Sequence, residues 1–186
     1  MNKNKILIPI FAAVVAVQLA VPAWMIVKRE ITLKEGAQFK FRTQPVDPAD
    51  AFRGRYVWLR LEPDSVKVPE TSKWEHGQRA YAVLSIDTNG FAKVTRLDRA
   101  WPADEPAIAV RIGWNDSRSN ILHFTWPLDR YYMEEKKAPA AEKAYRNNSN
   151  RKNRNCYVTV RVRGGNAVLE ELFIDGKPVR EYLKKP

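Results

Sequence analysis

Residues 79–97 read RAYAVLSIDTNGFAKVTRL. Apolar and polar residues alternate on both sides of Asn89-Gly90, and that dipeptide supplies the positive φ angles of a tight turn, so the stretch predicts a β-hairpin. A second stretch, CYVTVRVRGGNAVLEELFIDG over residues 156–176, follows the same plan, with Gly164-Gly165 at its turn and Asp175-Gly176 at a further one. Tyr81, Ile86, Ala92, Val94 and Leu97 align with Tyr157, Val162, Ala167, Leu169 and Leu172 once one residue is dropped at the turn. Two readings stand here. The hairpins are copies left by an internal duplication, or they share only the pattern common to every strand-turn-strand unit.

Working outward, QFKFRT (residues 38–43) alternates Phe39 and Phe41 with polar neighbours, and RYVWLRL (55–61) is rich in aromatic and branched residues; both predict strands. AIAVRIGW (107–114) and NILHFTW (120–126) are two more, separated by the polar turn NDSRS. PDSVKVPETSKWEHG (63–77), broken by Pro63, Pro69 and Gly77, reads as a loop. LDRYYMEEKKAPAAEKAYRNN (128–148) loses the period of two and gains helix formers, with helical spacing predicted from Leu128 to Lys137 and a second short helix restarting at Pro139. NNSNRKNRN (147–155) is a basic polar loop. About seven strands and one helical insertion predict a mainly β fold, an antiparallel barrel or sandwich-like domain.

No residue from Ile6 to Val27 carries a charge. A helix of that length spans about 33 Å, enough to cross a hydrocarbon core of about 30 Å. A cleavable signal peptide competes with an uncleaved anchor, since Val21-Pro22-Ala23 resembles a cleavage site; the apolar run continues through Trp24 to Val27, beyond that site, which favours the anchor. Lys3 and Lys5 before the span are balanced by Lys28 and Arg29 after it, so charge leaves orientation open. The organisation expected is a tail (1–5), a transmembrane anchor (6–27), a polar linker with one helical turn (28–37) and one β-rich exported domain (38–186). That is a single-pass membrane protein with a short N-terminal tail and the bulk of the chain exported.

With 32 Lys and Arg against 21 Asp and Glu, the chain carries a net charge of +11, which suits anionic lipid, an acidic partner or a solvated basic surface. One cysteine, Cys156, excludes an intrachain disulfide, and its setting in CYVTVRV predicts a buried strand position. His76 and His123 are isolated, so no metal-ligand spacing exists; no glycine-rich phosphate loop or serine elbow is present, and no cofactor is expected. Arg53, Arg55 and Arg60 interleave with Trp58, but as a strand they divide between two faces, which argues against nucleic acid.

The remaining signal is PVDPADAFRGRYVWLRLEP (45–63). Gly54-Arg55-Tyr56-Val57-Trp58-Leu59-Arg60-Leu61 resembles the motif of the GDYXXLXY family of membrane-anchored bacterial proteins, matching its glycine, tyrosine and leucine. Arg55 and Leu61 stand where the motif has aspartate and its last tyrosine. The lead-in Pro45-Val46-Asp47-Pro48 with Arg53, the segment LDRYYMEEKKAPAAEKAYR and the terminal LFIDGKPV are similar to other parts of the family, over about residues 24–180. The resemblance implies an accessory protein without an assigned activity, anchored by one span in a bacterial inner membrane with its domain facing the periplasm or outside, that partners a multi-span membrane protein.

The candidate binding residues are Asp47, Arg53, Gly54 and Tyr56 from the first signature and Arg130, Tyr131, Tyr132 and Glu135 from the second. The two signatures are expected to meet. In that expectation Tyr56 and Trp58 face inward beneath a helix at 128–137, and Glu135 pairs with Arg53 or Arg55. Pro45 and Pro48 stiffen the lead-in and Asp47 and Asp50 cap it, which accounts for the loop without catalysis. An alternative is a hydrolase-like enzyme pairing Asp47 with Glu134 or Glu135, with Arg53 and Arg130 holding an anionic substrate. A third reading has the loop of Arg151, Lys152 and Arg154 resting on anionic lipid.

Overall fold

The computed structural model describes residues 4–44, 56–116, 118–149 and 155–184. Helix α1 (Asn4–Glu35) leads into strand β1 (Ala37–Gln44), followed by β2 (Tyr56–Trp58), β3 (Arg60–Glu62), β4 (Ser65–Lys67), β5 (Arg79–Ile86) and β6 (Ala92–Asp98). Then come β7 (Ala107–Asp116), β8 (Ile121–Thr125), β9 (Arg130–Tyr132), helix α2 (Ala138–Asn148), β10 (Cys156–Arg163), β11 (Asn166–Ile174), β12 (Lys177–Pro178) and the short helix α3 (Val179–Tyr182). The mainly β, antiparallel class expected from the sequence is what forms. One sheet has the order β12-β11-β10-β1-β3, another β4-β8-β7-β5-β6, and β2 pairs with β9; together they make a nearly closed barrel.

The pairing pattern occurs twice. Each hairpin slips its register at the same place: between Val83 and Leu84 in β5 against β6, and between Thr159 and Val160 in β10 against β11. Every pair in the first hairpin has a counterpart in the second, from Tyr81↔Asp98 with Tyr157↔Phe173 to Ile86↔Ala92 with Val162↔Ala167. The third strands agree too, since Ala82↔Ile108 corresponds to Val158↔Phe41. So do the short ribbons: Ser65↔His123 and Lys67↔Ile121 correspond to Arg130↔Trp58 and Tyr132↔Tyr56. Two loop bonds complete the match, Phe124 N–H to Asp64 O at 3.0 Å and Leu59 N–H to Asp129 O at 2.8 Å. Of the two sequence readings, a repeated unit is the one this geometry follows: β1 to β6 is one copy and β7 to β11 the other.

The copies interlock. β1 joins the hairpin of the second copy and β7 the hairpin of the first, so each large sheet draws strands from both. Their core positions coincide as well: Phe41 and Ile108 are both fully buried, as are Val57 and Leu122, while Leu59 matches Phe124 and Leu61 matches Trp126. Such positions face inward because alternate residues of a strand share a face, and the apolar ones gain most from leaving water.

The structure corrects four expectations. The first hairpin turns through a wider loop than the tight Asn89-Gly90 turn: Asp87 N–H donates to Phe91 O at 2.7 Å, and only Gly90 takes positive φ, at 79°. The Asp87 carboxylate holds this loop by accepting from the Asn89 and Phe91 amides at 2.8 Å each. Gly164 and Gly165, at 54° and 77°, make the tighter turn of the second copy, which is the residue dropped in the alignment. Residues 130–132 form strand β9 rather than helix, and the helix begins only at Ala138, with Pro139 in its first turn. Ser65–Lys67, expected in a loop, is strand β4 because the other copy's β8 supplies its partner.

The fourth correction concerns residues 28–35, expected as a mostly non-helical linker, which continue α1 without a break. Lys34 pairs with Glu30 at 3.2 Å one turn away, and the Thr32 hydroxyl donates to Lys28 O at 2.9 Å. The helix ends on the domain: Gly36 N–H donates to Thr32 O at 2.9 Å, Arg161 donates to Gly36 O at 3.2 Å, and Arg163 pairs with Glu35 at 2.9 Å.

Candidate functional site

The motif strand β2 directs Val57 into the main core and Tyr56 and Trp58 to its opposite face, where Tyr56 is buried and Trp58 half-buried, whereas the aromatic face was expected to line the core. Val57, Leu59 and Leu61 are the better core residues because they carry no polar atom to satisfy. Antiparallel pairing with β9 then sets Tyr132 opposite Tyr56 and Arg130 opposite Trp58. The Arg130 guanidinium carbon lies 5.2 Å from the centre of the Tyr56 ring and 5.2 Å from that of Trp58. Tyr56 meets Trp58 edge-on at 6.0 Å and Tyr132 at 5.7 Å. A cation set over two aromatic faces is held by their quadrupoles, more strongly where water is excluded. The Tyr132 hydroxyl, then the Asp129 carboxylate 3.6 Å from Nε, hold Arg130 above its usual range. Two buried polar atoms in this cluster, Tyr56 Oη and Arg130 Nε, have no hydrogen-bond partner among the described residues.

The two signatures therefore meet, as a strand pair rather than as strand and helix. Tyr56, Arg130 and Tyr132 come together. Tyr131 shares their strand but points the other way, buried against the core, with its hydroxyl donating to Glu171 at 2.5 Å. Burial first, then Glu171, raises the Tyr131 phenol above its ordinary range. Glu135 sits exposed in the turn after β9. Asp47, Arg53 and Gly54 lie outside the described residues, as do Arg55, its proposed pairing with Glu135, and the loop of Arg151, Lys152 and Arg154.

Among the described residues, the carboxylates that shift do so downward. Lys137, 2.8 Å from Glu134, keeps that carboxyl ionised below its usual range, and Asp87, Glu105, Asp116 and Glu170 are likewise lowered. A general acid at neutral pH needs the opposite shift. Cys156 occupies the position of Ala80 in the other copy, 2% exposed, and burial pushes its thiol up to about 12. His123 stacks on Trp114 at 4.0 Å, and no group of three metal-capable side chains exists among the described residues.

Beside the cluster, a cavity of about 640 Å³ opens between the exit of α1 and the domain. Arg130, Asp129 and Tyr132 form one wall, Lys28 and Arg29 of α1 another, and Arg79 of β5 faces in from the first copy. Lys28, Arg29, Arg79, Asp129 and Trp58 were not among the site residues expected from the sequence. Trp58 was within reach, two residues from Tyr56 on the same strand face. Arg79 was not, because only the pairing of β5 with β7 brings it here.

The fold and site define a class: a two-copy antiparallel β domain carried on one helix long and apolar enough to cross a membrane, with an aromatic-arginine cluster beside the helix exit. A family model described as GDYXXLXY protein matches residues 18–172, and the chain belongs to that family. Comparison with curated proteins and with solved structures returns no match.

Proposed function

We propose that this protein is a single-pass, membrane-anchored accessory protein of the bacterial inner membrane, whose exported domain binds a multi-span membrane protein. The observation that carries the reading is the unbroken α1. The helix passes from its apolar span straight into bonds with β10 and the domain, so the domain is presented at the bilayer surface in one orientation. A fixed orientation lowers the entropy lost on binding a partner that is itself confined to the membrane plane. Over its uncharged span α1 is apolar all round and exposed, with Phe11 70%, Leu19 68% and Trp24 68% accessible, which suits contact with lipid and with other helices.

Site-specific photocrosslinking tests this. With a crosslinking residue at Tyr132, or at Met25 on α1, adducts to one multi-span protein are expected. Adducts to lipid alone at both positions would remove the proposed partner. Protease protection of sealed vesicles tests orientation separately, and a domain digested from the cytoplasmic side would reverse the topology.

A further inference from the structure

We infer that the cavity between α1 and the β9–β11 side of the domain binds a phosphate-bearing anion, and that a phospholipid headgroup is its source. Lys28 and Arg29 are the first charges after the apolar run, which sets them at headgroup level when α1 spans the bilayer. Arg79 and Arg130 reach the same cavity from strands of the two different copies. Four cations thus face Asp129, the one carboxylate among the lining residues, and Asp129 is engaged with Arg130. Lys28, Arg29 and Arg79 form no ion pair among the described residues. Like charges gathered beside a low-dielectric bilayer repel one another more than they would in water. A phosphate among them removes that repulsion and accepts from several donors at once.

Two features favour a lipid as the source. The rest of the wall is largely apolar, with Leu128, Val168 and Leu169 on the domain side and Met25, 65% exposed, on the helix. A lipid alongside α1 could therefore lay its acyl chains on the helix and its phosphate in the cavity. Beside the cavity, Trp101 packs on Gly165 and meets Tyr81 edge-on at 5.5 Å, the pair of amphipathic rings that membrane interfaces favour. The volume lies within the range of about 300–1,000 Å³ usual for small-molecule sites.

The inference rests on the anchoring part of the proposed function and not on any protein partner. The test is native mass spectrometry of the full chain in mild detergent, with phosphatidylglycerol, phosphatidylcholine and inorganic phosphate as probes. Preferential retention of phosphatidylglycerol is expected. Arg79→Gln and Arg130→Gln should each weaken that retention about fivefold. Arg79 is exposed, so its variant keeps the fold even if the Arg130 variant does not. Lys93→Gln, the same charge change at the far end of the β5–β6 hairpin, should leave retention unchanged. Equal retention of the two lipids, or an equal loss with Lys93→Gln, would overturn the site. Displacement of the lipid by inorganic phosphate at equal concentration would uphold an anion site but make its ligand soluble. Release of the chain from membranes by alkaline carbonate would end the anchoring reading and with it the lipid source, leaving the phosphate arm to decide the cavity.

Discussion

Two short ribbons, β4 with β8 and β2 with β9, share one backbone register and present different chemistry. In the first, Ser65 opposes His123 and Lys67 opposes Ile121; in the second, Arg130 opposes Trp58 and Tyr132 opposes Tyr56. The middle pair is apolar and turned toward the core in both, Val66 with Leu122 and Val57 with Tyr131. Inward positions are alike because both copies must fill one barrel. Outward positions are released from that demand, and there the copies diverge. The second copy alone carries the α2 insertion and receives α1, so the cation-aromatic cluster and the basic cavity fall at the end that meets the anchor.

The comparison breaks most severely if the copies can be separated. Because each large sheet takes strands from both, fragments 37–103 and 104–186 are expected to lack ordered tertiary structure when made alone. Near-ultraviolet circular dichroism checks this, and a cooperative melt from either fragment would mean that the copies are independent domains. Next in size come the matched core positions. Phe41→Ala and Ile108→Ala should each cost about 2–5 kcal/mol, with denaturant midpoints shifted by similar amounts. One variant tolerated and the other not would show that backbone equivalence does not extend to packing.

Gly36→Ala tests the asymmetry instead. A Cβ there would collide with the Thr32 carbonyl oxygen and lie 3.1 Å from the Val162 amide nitrogen, both backbone atoms that cannot swing aside. A cost of about 1–3 kcal/mol is expected, typical of overpacking. Hydrogen exchange should rise in α1 residues 28–35 and in β10 while β5 and β6 stay protected; uniform loosening would deny that α1 docks on one copy.

The smallest effect concerns Cys156 against its counterpart Ala80. An unfolded thiol titrates near about 8.5, whereas the folded one is pushed up to about 12. The folded state therefore keeps the proton over that interval and the unfolded state releases it, so stability is complete below pH of about 8.5 and falls as pH rises above it. Cys156→Ala should flatten that alkaline decline relative to wild type, seen in melts across the interval. The wild-type thiol should also resist alkylation at neutral pH, and rapid labelling of folded protein would contradict its burial.

Much of this architecture was legible in the residues alone. Period-two alternation predicted the two hairpins and the other long strands, because a half-buried strand imposes that period whatever its partners. The uncharged run to Val27 predicted a membrane-spanning helix by length and polarity, and the signature from Gly54 to Leu61 indicated the family. What sequence could not decide was anything set by a partner strand. Ser65–Lys67 and Arg130–Tyr132 are too short to be strands by themselves and became so because the other copy supplied their hydrogen bonds. The core-facing side of β2 was settled by the demand for Val57, Leu59 and Leu61 in the shared core, which left Tyr56 and Trp58 on the opposite face to meet Arg130. Lys28, Arg29, Arg79 and Arg130 are scattered along the chain, and only the interlocking of two copies, with a helix laid against one of them, brings the four charges to one cavity.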